Sequence, residues 1–588
     1  MQRWRIPSGN AFGRAEIGRP SRPSRMLSLQ AFSKLKYRTN IAQNHSRKSA
    51  WTNIDYDRLY TQPTYNPGRQ VGPIKLQPVP GSGRGLVAER EIPLAETVLL
   101  SEALGGALTA AGGSELRPQH LADHLAGLQR AGRLGPADRA RLRLLYDGRS
   151  AVDSPPALRN RLSASLDDFK KLEDKLRRAT EAPKKAKGKG FGAPSSSSTA
   201  SGQADGAAII DVAALGEAPL ESDELLRLAN FNSWGNSFGE LGCSQLRKEA
   251  SEAIIGIWPE FALMNHSCAP NTTTFSVGQM LLVQAVKDIP GGAQVTTSYL
   301  GELALAPLER RREWLQGSYG FECACERCTA EASVPSSVSS AVAAAYQVAS
   351  SDEARALVGE AAGGSDRGAL RPLESQLAAA VERLEAVMED AGLGQQLRLW
   401  LRAAAYNAYY TRAAIRDLPD SRKVEGGVDN GGGSLLFGRG LTAPFSDPVT
   451  PTELAEVVSE VAPGTDLHLY LTLETLSRSA EAYPRDDPRV ADATKACLRA
   501  HILRYGRTSD AVLRELLQAR SNHPHYLGRV SLSPQQPHQS EAAGSLVSEP
   551  LFGSAAWVAA SPIQLREAAA KVASMKASEA EAEAKGGC

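Results

Sequence analysis

At 588 residues, with 42% hydrophobic and 22% charged residues and a formal net charge of +2, the chain is too long for one ordinary core but has an ordinary globular composition. No apolar run reaches the length that crosses a bilayer, and so balanced a charge makes no electrostatic case for direct nucleic-acid binding. Neither a membrane nor a nucleic acid is therefore expected as a partner. Seven cysteines are few for a secreted disulfide framework.

Residues 1–70 read as a basic N-terminal extension. Over the first 50 residues Glu16 is the only acidic residue among many Arg, Lys and Ser, which is the composition of an organelle transit peptide. Pro20 and Pro23 interrupt any long amphipathic helix, and a plain basic tail has the same composition. Nucleus or cytoplasm is the favoured compartment, with chloroplast or mitochondrion as the alternative that this extension raises.

Residues 71–112 bring short apolar stretches broken by Gly and Pro: IKLQPV from Ile74, the turn PGSGRG, then LVAEREI and ETVLL. These predict a β-meander. Residues 113–222 form a helical and low-complexity insertion. Leu121, Leu125 and Leu128 recur at helical spacing, Gly135 and Pro136 separate two short helices, and a charged helix is expected over 157–182. The Lys-, Gly- and Ser-rich stretch 184–206 reads as a solvated loop rather than a nuclear-localisation or nucleic-acid patch. The β pattern returns over 223–320 in AIIGIW, TTTFSV, MLLVQAV and AQVTTSYL, with PGG at 290–292 as a turn.

Residues 321–330 hold a CxCxxC segment. Helical periodicity then runs over 336–362, 368–391, 394–416, 451–482, 487–505 and 508–519, so 335–522 is expected to be an all-α, TPR-like helical array with a glycine-rich loop at 425–434. Residues 523–588 read as a mostly disordered tail ending in an Ala/Glu/Lys segment. The expected class is α+β, a β-rich unit with a helical insertion followed by an all-α C-terminal domain.

The chemistry concentrates between Trp258 and Cys328, where ALMNHSCAPNTT is followed by VTTSYLGE and RREWLQGSYGFECACERC. The spacing of Cys323, Cys325 and Cys328 points to thiolates gathered on a metal in a reducing compartment. Cys243, Cys497 and Cys588 stand alone and read as unpaired structural or surface thiols. Taken singly, Asn265 and His266 read equally as caps of a turn, Tyr299 as the end of a strand and the cysteines as any zinc clip.

Together, in this order, these segments resemble the SET-domain protein-lysine methyltransferases, and among them the SMYD-like branch, whose SET domain is split by an insertion. The resemblance covers 81–100 and about 228–328. It implies a SET fold with a pseudoknot, use of S-adenosylmethionine, and methyl transfer to lysine side chains of histone or non-histone proteins. A protein substrate with a target lysine is then the main partner, with further protein partners for the helical domain.

By the same resemblance the NHSCxPN segment forms the cofactor knot, with Asn265 and His266 at the cofactor. Gly83, Arg84 and Gly85 lie beside its carboxylate and ammonium groups, and Phe321 lies against its adenine. Tyr299 and Tyr319 are the catalytic tyrosines, Tyr299 also bordering the cofactor, and Cys268 joins Cys323, Cys325 and Cys328 as the fourth ligand of a structural zinc. The MYND finger of many relatives is expected to be absent, since no cysteine occurs between Leu86 and Leu241. A related plastid branch lacks the post-SET cysteines, which favours the SMYD-like branch. The competing reading is an inactive SET-fold zinc scaffold that binds proteins through its helical domain.

Overall fold

The computed structural model describes residues 51, 53–110, 116–149, 166–171, 215–236, 239–249, 252–354, 356–357, 367–417 and 451–522. The expected basic stretch 1–50, the loops at 184–206 and 425–434, most of the charged helix at 157–182 and the tail at 523–588 lie outside them.

The described fold begins with helix α1 (Tyr56–Thr61), within the segment 1–70. Asp55 caps it by accepting from Arg58 N, and Tyr56, Leu59 and Tyr60 are buried. Strands β1 (Gln70–Val71), β2 (Ile74–Val79) and β3 (Gly83–Ala88) follow, and β2 and β3 pair antiparallel from Ile74↔Ala88 to Val79↔Gly83. The turn between them needs left-handed backbone at Gly81 (φ 74°) and Gly83 (φ 73°), which glycine adopts without a Cβ clash. Next come β4 (Thr97–Glu102) and β5 (Gly105–Ala110).

The insertion contributes α2 (Pro118–Arg130) and α3 (Pro136–Arg143), each opening with proline in its first turn, where a missing N–H costs nothing. Then follow α4 (Ser222–Asn232), β6 (Ser233–Asn236), α5 (Leu241–Arg247) and β7 (Glu252–Ile257). Strands β5, β7 and β6 make one antiparallel sheet, and α2 packs against both α4 and β5.

A second antiparallel sheet runs β1-β4-β10-β9, using β9 (Thr272–Val277) and β10 (Met280–Ala285). Between the sheets lie two short strands, β8 (Asn265–His266) and β11 (Thr296–Thr297), which pair parallel, Asn265 with Thr296 and His266 with Thr297. These strands, 31 residues apart by this register, close the knot on which the site is built. The core beneath them gathers Leu86, Ile92, Leu121, Phe169, Ile255 and Trp258, so strands and insertion helices share one apolar interior. The α+β class is thus what the chain adopts.

After a 3-10 turn at Gly301–Leu305 come α6 (Leu308–Tyr319) and α7 (Glu326–Ala332). The helical array consists of α8 (Ser336–Ser350), α9 (Arg371–Asp390), α10 (Gln395–Ala404), α11 (Tyr406–Asp417), α12 (Pro451–Val461), α13 (Asp466–Ala482), α14 (Pro488–Tyr505) and α15 (Asp510–Asn522). The stretches 394–416 and 451–482, expected as single helices, each divide in two. The first breaks at Ala405 (φ −112°, ψ 15°). The second breaks at Pro463 and Gly464 (φ 68°), after which Thr465 caps α13. Proline lacks the N–H that would continue a helix, and left-handed glycine ends one. Among the described residues no helix is long and apolar enough to cross a membrane.

The array docks on the second sheet through an apolar seam of Tyr60, Phe275, Leu282, Leu469, Tyr505 and Leu516. Buried polar contacts fix the register of this seam. Glu240, at the start of α5, accepts from Cys243 N (2.7 Å) and Tyr505 Oη (2.6 Å), and pairs with Arg520 and with Arg504 (3.4 Å). Asp466 pairs with the same two arginines, at 2.5 Å and 3.3 Å. Tyr60 donates to the Tyr505 carbonyl, and Asp57 accepts from Thr508 and Ser509.

Candidate functional site

The knot positions the site. Asn271, at the end of NHSCAPN, donates to the Gln294 carbonyl (2.8 Å) and accepts from Thr296 N (2.8 Å), tying the turn after β8 to the strand it crosses. Asn265 donates to the Arg84 carbonyl (3.1 Å), which draws β3 onto the knot. A Cβ at Gly85 would lie 2.4 Å from Asn265 Nδ2 and 2.9 Å from Gln294 Nε2, so glycine is what permits this approach. The Arg84 side chain is buried and donates to the Leu144 carbonyl, bracing β3 against the end of α3.

His266 is the hub. Its Nδ1 accepts from Tyr299 N (3.0 Å), which leaves Nε2 as the protonated nitrogen, 3.3 Å from Cys268 Sγ. Burial pushes its pKa down to about 3, so the ring is neutral. Its centroid lies 5.3 Å from Tyr299 and 6.2 Å from Phe321. Tyr299 and Tyr319 stand 5.0 Å apart, and Tyr319 and Phe321 6.4 Å apart. The four rings thus form one half-buried aromatic wall.

The Tyr299 hydroxyl donates to the Met264 carbonyl at 2.5 Å. Burial raises its pKa, the neighbouring Tyr319 adding to the effect, and burial pushes Tyr319 up to about 12. Both phenols therefore stay protonated; the Tyr299 proton is taken by the Met264 carbonyl, which leaves its oxygen as an acceptor, while Tyr319 can donate.

Beside this wall Cys268, Cys323, Cys325 and Cys328 bring their sulfurs within 4.8 Å of one another. Cys268 lies 3.9 Å from Cys323 and 3.4 Å from Cys328. Four thiolates at about 2.3 Å around a tetrahedral zinc would stand about 3.8 Å apart, so the arrangement fits the ion, and the four can hold it. Hydrogen bonds from the Cys268, Cys323 and Cys328 thiols lower the Cys325 pKa, which favours thiolate there.

Two buried arginines support the cluster. Arg327 donates to the Cys268 and Ala304 carbonyls (3.1 and 2.7 Å), and both Arg327 and Arg311 pair with Glu331 (2.6 and 2.7 Å). Arg311 also reaches Cys328 Sγ at 3.7 Å. Sequence reading missed this triad. Arg327 and Glu331 have the i,i+4 spacing of a helical ion pair, but nothing local to Arg311 signals its burial.

The structure brings Asn265, His266, Tyr299, Tyr319, Phe321 and the four cysteines into one site, with Gly85 in contact through Asn265. Gly83 stands at the exposed start of β3. A cleft that sequence reading did not find opens beside the knot, lined by Trp234, Thr273, Ser298, Gly301, Pro463 and Asp466 among others. It lies between β9 and the turn joining α12 to α13.

Parts of the chain are similar in sequence to known proteins. Human histone-lysine N-methyltransferase SMYD3 is 42% identical over 80 residues, 14% of this chain and 18% of that protein. Chicken N-lysine methyltransferase SMYD2 is 40% identical over 95 residues, 16% of this chain and 21% of that protein. The potential protein lysine methyltransferase SET6 of Saccharomyces cerevisiae is 39% identical over 111 residues, 18% of this chain and 28% of that protein. The chain thus spans between 18% and 28% of the length of these relatives. Residues 83–300, from the start of β3 to the residue after Tyr299, match the model of the SET domain family.

Proposed function

We propose that this protein is an S-adenosylmethionine-dependent methyltransferase acting on lysine side chains of proteins, of the SMYD-like kind. The observation that carries the reading is the single aromatic wall of His266, Tyr299, Tyr319 and Phe321 at the knot, of which His266 and Tyr299 fall within the segment 83–300 that matches the SET domain and Tyr319 and Phe321 follow shortly after it. The post-SET cysteines and the helical array support the finer branch.

The residues at the knot fit the cofactor. Gln294 Nε2 is buried without a hydrogen-bond partner, close to Gly85 and Asn265. It is a spare donor where the resemblance puts the methionine carboxylate. Asn265, His266 and the Gly83–Gly85 backbone would hold the amino-acid portion, and Phe321 would cover the adenine. When bound, S-adenosylmethionine supplies an electrophilic methyl group on a sulfonium.

The protein's own part is positional. A lysine ammonium has no lone pair, and a channel walled by half-buried aromatic rings disfavours the charged form, so the amine enters neutral. The Tyr299 oxygen, its own proton given to the Met264 carbonyl, accepts from the amine N–H, and together with the Tyr319 phenol it orients that amine and limits the room for added methyl groups. Neutral His266 holds the Tyr299 backbone in place while facing the cysteine cluster. Zinc on the four cysteines would pin the segment carrying Tyr319 and Phe321 against the knot.

The test is transfer of radiolabelled methyl from S-adenosylmethionine to a mixed protein extract, wild type against His266→Ala, with labelled residues identified by mass spectrometry. Lysine labelling that disappears in the variant is expected. No labelling together with no cofactor binding would overturn the reading in favour of a SET-fold scaffold.

A further inference from the structure

Glu302 is an acid with no ion-pair partner among the described residues. It lies three residues beyond Tyr299, on the 3-10 turn Gly301–Leu305. A 3-10 helix puts every third residue on one face. Gly301 and Ala304 share the face that lines the cleft. Leu300 and Leu303 share the face packed with Tyr299 and the cysteines. Glu302 shares the third face with Leu305, which enters the core of the helical array, where the turn packs against α10. Glu302 therefore lies on the turn between the knot and the array, next in sequence to Gly301, which lines the cleft.

Its side chain is half-buried and has no hydrogen-bond or ion-pair partner among the described residues. Burial alone pushes its pKa up to about 8, with no nearby cation to hold it down. By contrast, the carboxylates of Glu240, Glu260, Glu331 and Asp466 all have arginine partners. An unpaired acid in an apolar seam destabilises the fold unless something outside the chain supplies the charge. A single carboxylate is no metal site, but it is a sufficient partner for one basic side chain.

We propose that Glu302 is a recognition residue for a second basic side chain in the methylated segment. The proposal rests on the lysine-methyltransferase reading, because it is the Tyr299–Tyr319 pair that fixes where the segment enters. Three residues of chain reach at most about 11 Å, and an extended peptide advances about 3.3 Å per residue. The favoured Arg or Lys thus lies within about three positions of the target lysine.

The experiment uses the full chain and a set of peptides with a central lysine, carrying Arg, Ala or Glu in turn at each of the three positions on either side. Binding is read by fluorescence anisotropy and methyl transfer with S-adenosylmethionine, for wild type, Glu302→Gln and Glu302→Lys. Wild type should favour Arg over Glu at one position by roughly tenfold or more. Glu302→Gln should flatten that position alone, and Glu302→Lys should reverse it.

A flat wild-type profile, or a preference that persists in Glu302→Gln, overturns the proposal. A charge preference that follows Glu302 in binding without any methyl transfer supports the recognition site and removes the proposed activity. Methyl transfer with a profile that ignores Glu302 does the opposite.

Discussion

Tyr299 is held at three points: its N–H donates to His266, its hydroxyl donates to the Met264 carbonyl, and its ring packs against Tyr319. Removing the hydroxyl leaves ring packing intact but takes away the acceptor oxygen, fixed by its bond to Met264, that would align the amine. Tyr299→Phe should lower turnover by about 100-fold and leave the cofactor dissociation constant within about twofold, measured by single-turnover transfer and calorimetry. Equal activity would remove the assigned role.

Glu302 makes a different prediction at this scale. Its pKa is raised by burial from 4.5 to about 8, so the folded state binds a proton that the unfolded state has released between those values. Stability conferred at low pH is therefore lost as pH rises from about 4.5 to about 8. Glu302→Gln should raise the melting temperature at pH 8 and leave it unchanged at pH 4; a variant less stable at pH 8 would contradict this account.

At the scale of elements, the cysteine cluster joins the knot to α7. Cys325 immediately precedes α7 at its N-cap position, and Cys328 lies inside the helix, while Cys268 comes from the turn after β8. Losing one ligand breaks a tetrahedral site, so Cys325→Ser should release bound zinc and make residues 320–330 more susceptible to proteolysis, by metal analysis and limited digestion. Zinc content equal to that of wild type would rule out this ligand set. Arg311, Arg327 and Glu331 are fully or almost fully buried around the same segment, and they explain how Ala304 and the turn bearing Glu302 are held to it.

Across the whole molecule, the array and the β-rich unit are joined by Glu240, Asp466, Arg504 and Arg520, two acids against two arginines. Burial works to raise the Glu240 pKa, but Arg520 and Arg504 outweigh it and hold the group at about 2, against 4.5 unperturbed. A depressed acid stabilises above its unfolded pKa, and that contribution is lost as pH falls from about 4.5 toward about 2. Glu240→Gln should leave a buried arginine uncompensated and cost about 3–5 kcal/mol by urea denaturation at pH 7. The same variant should lose much of the acid dependence of unfolding in that window, and an unchanged midpoint would show that the network contributes little to docking.

Much of this was legible along the chain. The segment NHSCAPN, the tyrosines at 299 and 319 and the CxCxxC group named the site, because knot, wall and metal ligands are each carried by short contiguous runs. Periodicity likewise located most strands and helices, since a period of two or 3.6 residues is a local property. It overran the breaks at Ala405 and at Pro463–Gly464, where alanine and leucine on both sides keep the apolar pattern running through a change of direction.

The sequence by itself determined which residues could make a SET-like site and an all-α array. Only the tertiary structure decided that Glu240 meets Arg520, 280 residues away, that Arg84 turns to Leu144, and that Glu302 has no partner among the described residues. The physical reason is that local patterning sets which face of an element is apolar. Which charge ends beside which, or beside none, depends on how those faces are stacked.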